Sequence, residues 1–360
     1  ILPNPNKILL IIQRSNGDVF LSLSLINSFI ENYKSIKIDL LVNDDTIEVA
    51  KLLPNINKIH TFSYFKKKQN NFKQEKSIIF SLFRKYDLSI SLTASDRSVA
   101  YALLASKYSI SAVDNENQKS WWKKIFLTHY YPFDASRHIL LNNLEPLNLL
   151  NIKHEQLQSS IKFSNEDIDK AKRKLEVEGI DKFIIFHPSA QYDYKIYPKK
   201  LRDKLLGFLN TLGLPIVITG GRSEIDLKIK DEIPNLDNIY NFIGRTSLKE
   251  CFIISQLSLA YIGMDTLNMH IAASQNKRIF AIFGPTNLSM WSPWSNELKS
   301  ATIFNKKIQT YGLISIFQGT LPCVACGMAG CDDNMGKSKC LDTINPEKVF
   351  QTINNWYQNV

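Results

Sequence analysis

Twice along this chain a short, wholly apolar run opens a regular alternation of strand-like and helix-like segments, and that repeated rhythm restricts the fold more than any other feature. The first opening is Lys7-Ile8-Leu9-Leu10-Ile11-Ile12 and the second is Phe183-Ile184-Ile185-Phe186-His187. Such runs suit strands buried on both faces, as in parallel α/β sheets. After the first, Val19, Leu23, Ile26 and Ile30 recur at helical spacing, so a helix is expected from near Asp18. Residues 36–42 read as a strand, 46–53 as a helix closed by Pro54, and 58–62 as a third strand. This is the βαβαβ pattern of a doubly wound sheet.

The rhythm breaks at 64–76, which carries five lysines and three aromatics but no reliable period. A helix at 77–85 and a strand at 88–92 resume it. Residues 135–158 read as a helix that Pro146 must kink or divide. After the second opening, a helix at 201–212 closes on Gly213 and a strand at 215–219 ends in Gly220-Gly221. A helix carrying Glu224 follows. Ser247 and Glu250 are spaced as a capping box. A strand at 257–262 leads through a polar turn into a helix beginning at Ile271-Ala272-Ala273. The chain thus divides into 1–160, 161–345 and a closing helix at 346–360.

At 360 residues, two domains are the default. No apolar run approaches the roughly 18–20 residues needed to span a bilayer, and no secretory signal pattern follows Ile12. A cytoplasmic setting is the expectation. The formal charge of +10 favours an anionic partner, although an AT-rich genome that encodes Lys and Asn freely accounts for it as well.

In open α/β sheets a ligand lies beyond the carboxyl ends of the strands. That rule selects Asp18, His187-Pro188-Ser189, Gly220-Gly221 and Asp265-Thr266. The turn from Gly263 to Ser274 joins a buried strand to a helix start, where free N–H groups and the helix dipole attract anions. It suits the diphosphate and sugar of an activated sugar donor. Asp265 would repel phosphate, so it is assigned to sugar hydroxyls, with a helix cap as its plainer alternative. Asp18 is either a cap or a general base for an attacking hydroxyl. Lys195, between a strand end and a helix, is placed to neutralise a leaving diphosphate, though single lysines more often face solvent. Arg14, Lys66, Lys67, Lys68, Lys123 and Lys124 are candidates to hold an anionic acceptor or a membrane surface, or else form solvated faces. Cys323, Cys326, Cys331 and Cys340 fall within 18 residues. Four thiolates suit structural zinc, with ordinary reduced cysteines as the alternative.

Together these motifs resemble family 9 glycosyltransferases, the group that includes the ADP-heptose:lipopolysaccharide heptosyltransferases. The resemblance rests on Arg14-Ser15-Asn16-Gly17-Asp18-Val19, on Phe186-His187-Pro188-Ser189 with Lys195 and Pro198, and on Gly244-Arg245-Thr246-Ser247-Leu248-x-Glu250. Gly263-Met264-Asp265-Thr266-x-x-Met269-His270-x-Ala272-Ala273, continuing to Phe283-Gly284-Pro285-Thr286, is its most specific part. It implies a GT-B fold, two Rossmann-like doubly wound domains facing a central cleft, with the acceptor on the first and the nucleotide-sugar on the second. It further implies inverting transfer with Asp18 as base and no metal or cofactor in the chemistry. Ser189, Lys195 and the helix start Thr266–His270, with Asn268 and Met269, would bind the diphosphate. Glu224 would hold the ribose, Asp265 the sugar, and Thr246 would join the donor set. The implied donor is ADP-heptose and the implied acceptor is the lipopolysaccharide inner core at the inner-membrane surface, with no nucleic-acid partner. Leu267 stands where the family has glycine, so a different turn geometry or donor seating is expected. A sugar-nucleotide epimerase or hydrolase on the same fold is the alternative, and a basic zinc-containing nucleic-acid-binding protein a more distant one.

Overall fold

The computed structural model describes residues 4–114, 117–154 and 160–360, excepting the side chains of 69–71 and 117–119. It divides into two compact units, Ile1–Ile161 and Lys162–Val360.

The first unit opens with β1 (Lys7–Ile12), α1 (Asn16–Phe20), α2 (Leu23–Asn32), β2 (Lys37–Asn43), α3 (Ile47–Ala50) and β3 (Ile56–Phe62). It continues with α4 (Tyr64–Leu82), β4 (Leu88–Ser91), α5 (Asp96–Ala105), β5 (Ser109–Val113), α6 (Asn117–Phe126), β6 (His129–Pro132) and α7 (Ile139–Leu149). The six strands form a parallel sheet in the order β3-β2-β1-β4-β5-β6. Strand order reverses between β1 and β4, so the loops leaving those strands diverge and open a crevice at their carboxyl ends.

Two expectations change here. Residues 64–76 are not irregular: α4 runs unbroken through them, with the Ser63 hydroxyl accepting from the Lys66 N–H at 3.3 Å. Only its C-terminal half is anchored, through Ile78 and Leu82 in the core, so the first half shows no apolar period to read. The helix expected at 135–158 is α7, which carries Pro146 inside and stops at Leu149; residues 155–158 lie outside the described residues.

The second unit contains α8 (Asn165–Glu176), β7 (Ile184–His187), α9 (Lys199–Asn210), β8 (Ile216–Ile218), α10 (Glu224–Glu232), β9 (Ile239–Asn241) and α11 (Leu248–Leu257). Then come β10 (Ala260–Met264), α12 (Leu267–Ser274), β11 (Arg278–Phe283), α13 (Leu288–Trp291), β12 (Ile308–Tyr311), β13 (Ile314–Gln318), α14 (Lys339–Asp342) and α15 (Pro346–Tyr357). Its sheet runs β12-β13-β11-β10-β7-β8-β9, parallel except for β12. Here the order reverses between β7 and β10. Alternate residues of the strands feed two apolar clusters, one on each face: Ile184, Phe186 and Ile262 pack with α9 and α15, and Ile185, Val217 and Tyr261 with α8, α11 and α12. The closing helix α15 is part of this unit's core through Val349 and Ile353. Among the described residues no helix is long and apolar enough to cross a membrane.

Candidate active site

In each unit a buried carboxylate lies just beyond the strands at the switch point, Asp18 in the first and Asp265 in the second. In the second unit the crevice lies between the ends of β7 and β10. Gly263 in β10 is there for a steric reason: a Cβ would meet the His187 carbonyl oxygen at 2.6 Å. The strands therefore pack closely enough to bring the loops beyond them together. From the β10 side comes Asp265, buried, and from the β7 side Lys195, whose Nζ lies 2.8 Å from the Asp265 Oδ2. Burial alone would lower the Lys195 pKa, but the Asp265 carboxylate reverses that and leaves it above the ordinary lysine range. Lys195 is thus a cation throughout the neutral pH range. Tyr192 and Tyr194 stack beside it, with ring centroids 5.4 Å apart.

Thr266 is the N-cap of α12, yet its side chain makes no capping bond. Its carbonyl accepts from the N–H groups of Met269 and His270 at 3.1 and 3.4 Å. Leu267 is the first helical residue of α12, so its backbone is right-handed and no glycine is required. That resolves the expected change of turn geometry without strain. Met269, assigned above to the donor, instead packs into the core beneath the turn. From Met269 to Ser274 every side chain of α12 is buried, so the methionine takes the apolar partners around it.

Beneath the turn lies a hydrogen-bonded layer that sequence reading missed. Asn268 donates to His187 Nε2 at 3.0 Å, and His187 Nδ1 lies 2.9 Å from Thr219 Oγ1. An amide donating to Nε2 places the ring proton on Nδ1, so His187 is neutral and donates to Thr219. The Cys251 thiol donates to Asn268 Oδ1 at 3.5 Å, and burial pushes that thiol up to about 12. The Asn268 amide is therefore committed to this layer. Asp226 accepts from Ser223 at 2.6 Å and from Ser189; although burial raises its pKa, these bonds hold its carboxyl below the usual range. The Ser189 hydroxyl is thus engaged with Asp226. The Ser223-x-x-Asp226 capping box was the available signal for it. Glu224 is exposed at the first position of α10, and Thr246 is half-buried just before Ser247, whose capping box with Glu250 forms as expected.

His270 is buried near the Trp291 ring, and its Nδ1 has no partner among the described residues. Burial lowers His187, His270 and also His60 in the first unit to about 4, from an ordinary 6.5. The unfolded chain takes up these protons near 6.5 and the folded chain only near 4. Their contribution is fully present above pH 6.5 and is lost as pH falls toward 4, up to about 3 kcal/mol each. The thermal unfolding midpoint of the full chain should drop steadily from pH 7 to 4.5, and His270→Gln should flatten that slope. An unchanged slope would mean the ring titrates normally.

In the first unit, α1 begins at Asn16 with Ser15 as N-cap, which puts Asp18 at the third helical position and not at the cap. Its Oδ2 accepts from the Ser15 hydroxyl at 2.7 Å and from the Ser15 N–H at 3.2 Å. Arg14 Nε lies 3.0 Å from Oδ1, while its guanidinium sits 5.0 Å from the Phe133 ring centroid. Arg14 is therefore paired with Asp18. Lys66, Lys67 and Lys68 are exposed on the first turns of α4. Lys123 departs from the expectation of an outward anion contact: it is buried, 2.6 Å from the Ala94 carbonyl and 2.8 Å from Asp96. Position 123 falls on the inner side of α6, so its charge is spent on packing. Lys124 lies 5.9 Å from the Tyr130 ring centroid.

Cys323, Cys326 and Cys331 are exposed and Cys340 is buried, all as free cysteines. Burial first, then the neighbouring thiols, raises Cys340 to about 11, and the Lys339 N–H donates to Cys331 Sγ at 3.3 Å. The donor chemistry fits zinc, but among the described residues no three His, Cys, Asp or Glu side chains are gathered to hold a metal.

Comparison with known proteins bears on this geometry. The chain is 29% identical over 297 residues to the lipopolysaccharide heptosyltransferase 3 of Escherichia coli, covering 79% of this chain and 84% of that one. The structure of a glycosyl transferase family 9 protein from Veillonella parvula superposes with a TM-score of 0.75 at 17% identity, over 99% of this chain and 100% of that one. The E. coli heptosyltransferase WaaC with ADP gives 0.71 at 15% identity, over 97% and 99%. At those identities the likeness establishes the fold, GT-B. A family model described as glycosyltransferase family 9 (heptosyltransferase) matches residues 77–311, and the chain belongs to that family of transferases.

Proposed function

We propose that the chain is an inverting glycosyltransferase that moves heptose from ADP-heptose onto the lipopolysaccharide inner core, working in the cytoplasm at the inner-membrane face. The Lys195–Asp265 pair across the β7/β10 switch point carries this reading. A cation and a carboxylate beside a helix N-terminus match the two halves of a sugar diphosphate: phosphate for Lys195 and the α12 amides, hydroxyls for Asp265. The residues proposed for the donor are Ser189, Lys195, Glu224, Thr246, Asp265, Thr266 and His270, with Asn268 acting through His187. In the first unit, Asp18 takes the proton from the acceptor hydroxyl. That oxygen attacks the anomeric carbon from the face opposite the diphosphate, and the carbon–oxygen bond to the diphosphate breaks. Lys195 and the helix amides meet the charge that develops on the leaving group. Arg14, beside Asp18, is the residue proposed to meet an anionic group of the acceptor. The chemistry calls on no metal. Zinc on the four cysteines would be structural, and metal content of protein purified under reducing conditions tests it.

A thermal-shift panel of nucleotide-sugars is the direct test. ADP-heptose at 100 times its dissociation constant should stabilise by about 2.7 kcal/mol, and sugar-free ADP should reproduce part of that. No response to any nucleotide-sugar would overturn the reading. Consumption of donor by pure protein without acceptor would instead identify the hydrolase or epimerase chemistry left open by the sequence.

A further inference from the structure

We infer that the outer face of the α4–α5–α6 layer in the first unit is a docking surface for an anionic phospholipid bilayer. Three helices form one layer: α4 and α5 share a core cluster with Leu9, Ile11 and Leu41, and α5 shares a second with β5 and with Trp122 of α6. The outer flanks of this layer carry large apolar side chains in water. On α4, Phe65 is 69% exposed, Phe72 78% and Phe80 66%; on α6, Trp121 is 60% and Ile125 66%. Phe65 and Phe72 lie seven residues apart and Trp121 and Ile125 four, so each pair shares a stripe of its helix. Folded chains rarely leave such stripes uncovered unless they meet a partner or a membrane.

Charge identifies the partner. Helix α4 holds five lysines against one carboxylate, and that carboxylate, Glu75, is taken up by Tyr101 and Arg97. Helix α6 has no carboxylate at all. Rings that sink to the level of the headgroups, flanked by lysines whose long stems let the ammonium reach phosphate, are what an anionic leaflet binds. Each lysine near such a surface is worth about fivefold in partition. The stripes lie on helix flanks and not in a groove, which suits a planar bilayer better than a single sugar chain or peptide. This inference rests on the proposed function only for why the enzyme needs a membrane, and it is tested without turnover.

The full chain is sedimented with vesicles of phosphatidylethanolamine and phosphatidylglycerol, and with vesicles of phosphatidylcholine alone. Partition onto the anionic vesicles should exceed that onto the neutral ones by at least about tenfold and weaken as salt is raised. The triple variant F65S/F72S/W121S should lose about tenfold or more in partition, while keeping the wild-type thermal midpoint and donor-induced shift. As a second measurement, phospholipids brominated on the acyl chain should quench tryptophan emission in the wild type, and less so in W121S alone. Absence of partition onto anionic vesicles overturns the inference, as does equal partition by the triple variant. So does a wild-type dimer that the triple variant dissociates, which would make the face a protein interface. Vesicle binding without any nucleotide-sugar response would leave the docking surface standing and remove the transferase reading.

Discussion

Asp18→Asn is expected to lower kcat by roughly three orders of magnitude while leaving donor-induced thermal stabilisation intact. The substitution separates the two roles open to this residue. As a structural group, Asp18 accepts the Ser15 hydroxyl and N–H at Oδ2 and pairs with Arg14 at Oδ1. An asparagine carbonyl can accept the same bonds from Ser15, so α1 should lose no more than about 1 kcal/mol. As a base, the side chain must take a proton in the transition state, and an amide cannot. The measurement is steady-state turnover alongside thermal shift with the nucleotide-sugar. A kcat within about threefold of wild type would return Asp18 to a capping role. A lost donor shift would instead mean that the variant disturbs more than the proton transfer.

The opening strands β1 and β7 were legible because each is a continuous apolar run, and the order of segments then permits few sheets other than two doubly wound ones. Strands β5, β6, β12 and β13, which are short or mix polar with apolar residues, were not read. Capping boxes were legible too, since Ser247 and Glu250 bond each other across three residues with no outside help. What stayed hidden depended on partners far away in sequence. Lys195 and Asp265 were each selected by their position after a strand, but their ion pair joins residues 70 apart and only the folded switch point creates it. Lys123 and Lys124 are indistinguishable as letters, yet one is buried against Ala94 and Asp96 and the other sits beside a tyrosine ring. The first half of α4 conceals its helicity because its aromatics face solvent, and periodicity reveals a helix only through the face it buries. Leu267 was the most conspicuous departure from the family pattern. At the first helical position a glycine's freedom at positive φ is not used, so that departure costs the backbone nothing.

Lys195→Met should lower kcat/KM by about two to three orders of magnitude and shrink the donor-induced thermal shift. It should also destabilise the unliganded protein by about 2 kcal/mol. Removing one member of a buried pair strands the other charge, and Asp265 is the more buried of the two; the partial exposure of Lys195 keeps the cost below that of a fully buried pair. Adding Asp265→Asn tells a structural pair from a functional one. The double variant K195M/D265N no longer holds an unpaired carboxylate, so most of the lost stability should return. A pair that served only to hold the loops together would recover activity along with stability. A pair that meets the phosphate and the sugar leaves the double variant stable and inactive, because neither methionine nor asparagine can neutralise a departing diphosphate. Thermal unfolding read beside kcat/KM decides between them. The pH range of the assay matters little to Lys195. Its pKa is raised on folding, so its contribution to stability is complete below the ordinary lysine pKa and is lost only above it. Between pH 7 and 4.5 the loss of stability is instead that of the buried histidines, and it should persist in the double variant.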